Sequence, residues 1–137
     1  IVIIKGRSIA KGRASGELIM TDAPISFLSG VDPDTGIIIE KGHPLEGVSI
    51  TGKVLVFPFG KGSTVGSYVI YALKKNDRAP AAMINSEAEA IIAVGAIISG
   101  IPMIDQLEGD LSLLKSGIAV TVDGDRGELI CPDQANA

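Results

Sequence analysis

Apolar and polar positions change their rhythm about halfway along the chain. In the first half, short β-prone runs at residues 1–4, 16–20, 37–40 and 48–57 alternate with Gly- and Pro-containing breaks, and no stretch between them is long enough for a helix. Residues 21–35, TDAPISFLSGVDPDT, mix turn formers with Ile25, Phe27, Leu28 and Val31. That mixture predicts a long loop packed by its own side chains, and loops of this length inside compact domains are usually functional.

Helical spacing begins in the second half. Val65, Val69, Ala72 and Leu73 recur on one face of a helix predicted over residues 63–75, with Ser63 or Thr64 as its cap and residues 76–78 as its stop. A short buried strand is predicted at 81–85. A second helix follows at 86–98, with Ser86 and Glu89 in a capping-box pattern and Gly100 as terminator. A strand at 101–104, a brief helix or turn over 110–115, and a hairpin of 118–122 with 128–131 complete the order. The fold class is therefore α/β, a β-rich N-terminal half meeting a β-α-β-α-β C-terminal half. With no repeat or linker between them, the halves are expected to share one core in a single domain over residues 1–131, followed by a flexible polar tail at 132–137.

Composition narrows what such a domain does. Of 137 residues, 46% are apolar but only five are aromatic and none is Trp, so the core is expected to be Ile, Val, Leu and Ala. Twelve basic against sixteen acidic side chains give a net charge of −4, and no basic run exceeds Lys74-Lys75, which argues against a nucleic-acid partner. One Cys and one His exclude a disulfide framework and a thiolate-built zinc or iron–sulfur site made by this chain alone. The longest apolar candidate, residues 90–104, is interrupted by Gly95, Gly100 and Pro102, and the apolar start at 1–4 is too short for a signal-peptide core. A soluble, cytoplasmic protein without membrane contact is expected.

Candidate chemistry concentrates in residues 54–68, VLVFPFGKGSTVGSY, where a strand runs through a Gly-flanked loop into a helix N-terminus. Backbone N–H groups there converge with Lys61, Ser63, Thr64 and Ser67, a setting that favours an anion or a developing oxyanion. A Walker A loop is rejected, because Leu55 and Gly62 stand where that motif needs Gly and Ser or Thr. The ordinary alternative is that Ser63 only caps the helix. His43, in a turn, is expected to pack its loop rather than serve as a base for Ser63. Arg13 is a candidate for an anionic substrate group and Ser26 for a substrate hydroxyl. Asp105, Glu108 and Asp110 follow no EF-hand spacing and are expected to be a solvated helix cap.

Taken in order, GRASGE (12–17), PISFLSGVDPDTG (24–36), GHPLEG (42–47), GKVLVFPFGKGSTVGSY (52–68), APAAMI (79–84) and IISGIPMID (97–105) resemble the small subunit of the aconitase X family over nearly the whole chain. The GKGSTVGS stretch is the most specific part, and the length is similar to that of the free-standing archaeal members. The resemblance implies an aconitase swivel-domain-like β/β/α fold and a hydro-lyase subunit that works only with a large subunit. The implied reaction dehydrates (R)-5-phosphomevalonate to trans-anhydromevalonate 5-phosphate in the archaeal mevalonate pathway. It further implies a [4Fe–4S] cluster on the large subunit, with no cofactor or metal bound by this chain. Ser63 matches the serine that acts as base in such enzymes, with Lys61, Gly62, Thr64, Arg13 and Ser26 as substrate contacts. Thr64-Val65 replaces the Ser-Arg of classical aconitases, so the arginine of that motif has no counterpart here. Three alternatives stand beside this reading: a hydroxyproline dehydratase of the same family, a phosphohistidine-type swivel domain, and a non-catalytic binding module. The second resembles the chain at 6–16 and 120–130 but needs a phosphorylatable His where Ser63 stands.

Overall fold

Strands β4 (Val54–Val56), β5 (Ala82–Asn85) and β6 (Met103–Asp105) are buried along their whole length. Side chains alternate across a strand, so this requires cover on both faces. On one face, Leu55, Met83 and Met103 pack with Ile70 and Leu73 of helix α2 (Gly66–Lys75) and with Ile92 and Ala96 of helix α3 (Ala90–Ser99). On the other, Val54, Val56, Ala82, Ile84 and Ile104 pack against Val120 and Val122 of β7 (Ala119–Asp123) and Leu129 and Cys131 of β8 (Glu128–Cys131). The result is the β/β/α layering that the resemblance implied, with two cores, each drawing on both halves of the sequence. Each fully buried aliphatic side chain contributes about 1.5–3 kcal/mol of burial. The computed structural model describes residues 1–109, 111 and 114–132. The predicted helix or turn at 110–115 falls partly outside them, and the tail at 132–137 almost wholly.

The strand order is β1-β8-β7-β3-β4-β5-β6-β2, with β3–β4, β4–β5 and β5–β6 parallel. β1 (Val2–Lys5) and β2 (Arg7–Ala10) stand at opposite ends of this order although only Gly6 separates them, so the sheet folds back on itself. β3 (Arg13–Met20) makes the second corner: residues 13–17 pair antiparallel with β7, and residues 18–20 pair parallel with β4. At Gly16 a side chain would strike the carbonyl of Gly52, which explains the residue at that corner.

Several predicted elements change. Residues 37–40 form only isolated bridges, from Ile38 to Val31 and from Ile37 to Ser49. The run at 48–57 is broken by a turn through Gly52, at φ 70°, which leaves β4 as a three-residue strand. β2 and the first half of β3 went unpredicted, because RSIA and RASG carry too few apolar residues to signal a strand. Glu89, not Ser86, caps α3: its carboxylate accepts from Ile91 N–H and Ile92 N–H, both at 2.9 Å. Gly100 terminates α3 in the left-handed conformation, as predicted.

Candidate active site

The carboxyl ends of parallel strands are where α/β sheets place their sites, and here the loop leaving β4 occupies that position. Asn85 Nδ2 donates to Phe57 O at 3.0 Å and anchors the loop base. The chain then runs alongside the predicted long loop: Ile25 N–H donates to Phe59 O at 3.3 Å and Lys61 N–H to Ile25 O at 3.0 Å. This bridge brings Ser26 to Gly62. Gly62 has φ 91°, and a Cβ there would lie 2.7 Å from Ser26 Oγ, so both conformation and space require glycine. Gly60 is needed for a different reason: a Cβ there would lie 2.5 Å from Ile92 Cγ1, blocking the close approach of α3.

Ser63 follows on a turn closed by Gly66 N–H donating to Ser63 O at 3.1 Å. Its Oγ accepts from Val65 N–H at 3.2 Å, outside the helix, so the predicted cap is corrected: α2 starts at Gly66, with Val65 at the cap position and no side-chain bond there. The turn lifts Ser63 off the helix and presents it at a cleft of about 180 Å³. Phe27, Lys61, Gly62, Ser63, Gly66 and Glu89 line this cleft among others. Two helix N-termini meet there. That of α3 is satisfied by Glu89, whereas α2 has neither a side-chain cap nor an acidic residue in its first turn, so its partial positive charge faces Ser63 uncompensated.

Lys61, Gly62, Ser63 and Ser26 are thus brought together, and Thr64 follows, exposed. Lys61 Nζ is held 3.0 Å from Glu40 Oε2. Arg13 stands apart. It begins β3, roughly 23 Å along the strand from Met20 at about 3.3 Å per residue, and pairs with Asp123 at 3.4 Å. The expected place of Arg13 beside Ser63 is therefore corrected. His43 is buried in its loop as predicted: Nδ1 accepts from Leu45 N–H at 3.0 Å, which leaves Nε2 to donate to Pro24 O at 3.1 Å. Both nitrogens are engaged, and the ring does not reach Ser63 as a base.

Sequence reasoning missed two groups. Glu89 was taken for the far end of a capping box, and Glu40 gives no signal because its partner is 21 residues away. The predicted solvated acidic cluster is also corrected. Asp105 is fully buried, takes two bonds from Arg7 at 2.9 and 2.8 Å, and accepts from Ala88 N–H at 2.7 Å. The hydrogen bonds and charge of Asp105 push the Arg7 pKa up. Asp110 lies outside the described residues. Among the described residues no group of three or more His, Cys, Asp or Glu could hold a metal, and no helix is long and apolar enough to cross a membrane.

The family model described as the aconitase X swivel domain matches residues 3–131. The chain belongs to this family. Within it, the chain is 60% identical over 126 residues to the phosphomevalonate dehydratase small subunit of Thermococcus kodakarensis, covering 92% of this chain and 93% of that one. It is 62% identical over 125 residues to the protein of the same name from Methanocella arvoryzae, covering 90% and 95%. The crystal structure of Thermococcus kodakaraensis aconitase X in its holo form superposes with a TM-score of 0.92 at 56% identity, covering 97% of this chain and all of that one. The swivel-domain fold is thus shared across the whole aconitase X chain rather than over a fragment.

Proposed function

We propose that this chain is the small subunit of a phosphomevalonate dehydratase, a cytoplasmic hydro-lyase converting (R)-5-phosphomevalonate to trans-anhydromevalonate 5-phosphate. Residues 1–131 are its one swivel domain. The observation that carries this reading is the 60–62% identity, over more than nine-tenths of their lengths, to relatives bearing that name.

Dehydration of a 3-hydroxy acid takes a proton from the carbon beside the carboxylate and a hydroxyl from the next carbon. Ser63 is the base in this reading. Its hydroxyl is a weak acid, so an alkoxide there needs positive potential held in place before reaction. The uncompensated N-terminus of α2 and the Val65 N–H on Oγ support that role. Lys61 adds an ammonium on the same loop, and Ser26, Gly62 and Thr64 complete the substrate-facing set. Arg13 is left out by its position.

An iron–sulfur cluster needs several thiolates. The single cysteine, Cys131, is buried between the sheets, where desolvation pushes its thiol pKa up, so these residues do not fit a [4Fe–4S] cluster. The reading therefore assigns the cluster to the large subunit.

The test is reconstitution with the large subunit and assay against mevalonate 5-phosphate and cis-3-hydroxyproline. Turnover of mevalonate 5-phosphate is expected; turnover of hydroxyproline alone would sink the reading. Ser63→Ala is expected to lower kcat at least ~10²-fold while the subunits still co-elute. An unchanged kcat would remove Ser63 as the base.

A further inference from the structure

Four large apolar side chains stand exposed around the polar mouth of the Ser63 cleft: Leu28 at 49%, Ile39 at 50%, Phe59 at 46% and Val65 at 39%. Leu28 adjoins Phe27, Phe59 adjoins Gly60, and Val65 lies between Ser63 and Gly66, all of which line the cleft. Ile39 adjoins Glu40, the partner of Lys61. Phe59 also walls a wider groove of about 590 Å³ that shares Glu89 with the cleft. Single exposed hydrophobic residues are ordinary, but a ring of them around one polar opening marks an interaction surface.

We infer that this rim is the docking surface for the large subunit, an inference that rests on the functional reading above. The incomplete chemistry of the cleft identifies the occupant. Ser63 is available as a base, but the other charged groups there are engaged: Glu89 caps α3, and Lys61 is paired with Glu40. Among the described cleft residues no unengaged acid remains to receive the leaving hydroxyl. The missing groups must come within reach of Ser63 from another chain, and a chain that close covers Leu28, Ile39, Phe59 and Val65. Covering them also excludes water, which strengthens the electrostatic hold on an alkoxide. Two other exposed apolar patches, Val94, Ile97 and Ile98 on α3 and Val2 and Ile3 on β1, contain no cleft residue.

The test is the affinity of the full chain for the large subunit, measured by titration calorimetry at fixed salt. The variants are Phe59→Asp/Val65→Asp at the rim and Ile97→Lys/Ile98→Lys on α3, each checked for folding by circular dichroism. Leu28→Asp/Ile39→Asp is the second rim variant should the first not fold. The rim variant is expected to weaken association at least ~30-fold, with the α3 variant close to wild type. A smaller weakening, or one matched by the α3 variant, overturns the proposal. Wild-type subunits that associate yet leave mevalonate 5-phosphate unchanged would instead defeat the functional reading and leave the docking result standing.

Discussion

Gly62 shows how one residue sets the geometry of the cleft. Its φ of 91° starts the turn that carries Ser63, and Ser26 Oγ fills the space a side chain would need. Gly62→Ala must both accept a left-handed conformation, costing about 1–2 kcal/mol, and push Ser26 and the loop apart. Misplacement of a reacting group by ~1 Å costs up to ~10²-fold in rate. The variant is therefore expected to lose at least ~10-fold in kcat of the holoenzyme with only a modest fall in stability, checked by steady-state kinetics beside thermal unfolding. A loss of stability with kcat preserved would show that Ser63 keeps its position without glycine at 62.

At the scale of elements, the pairing of α2 with α3 aims both N-termini at the cleft. The pairing is close because Gly95 has no side chain: a Cβ there would lie 2.7 Å from Ile70 Cδ1 and 3.2 Å from Ser67 Cα. Helix propensity alone predicts that Gly95→Leu stabilises α3 by about 0.8 kcal/mol. Packing predicts the opposite, since forcing a side chain between close-packed helices costs about 1–3 kcal/mol or more. The backbone of Ser67 cannot yield without moving α2, so packing should win. A net loss of at least about 1 kcal/mol is expected in urea unfolding, together with reduced turnover as the start of α2 shifts away from Ser63.

The whole molecule depends on a seam where its layers meet. Asp105, at the end of β6, binds Arg7 just past the Gly6 corner and the Ala88 N–H leading into α3, so one buried carboxylate joins the closing strand, the central sheet and the helix layer. Asp105→Ala leaves the Ala88 N–H without its partner, which costs on the order of 1–3 kcal/mol; Arg7, half exposed, stays solvated and adds little. A lowered thermal midpoint with retained circular dichroism is expected. Helix periodicity, the Gly100 stop, the closing hairpin and the GKGSTVGS loop were legible from local pattern, because each is specified by residues within a turn or two of one another. The N-terminal half of the sheet was not. β2 and the start of β3 owe their extended form to partners about a hundred residues away, Asp105 and Asp123 among them, and no local pattern encodes a partner that distant. The same distance explains the candidate site. The chemistry of Ser63 belongs to its own short motif, whereas the approach of Ser26 to Gly62, the hold of Glu40 on Lys61, the burial of Asp105 and the remoteness of Arg13 were settled only when separate segments packed together.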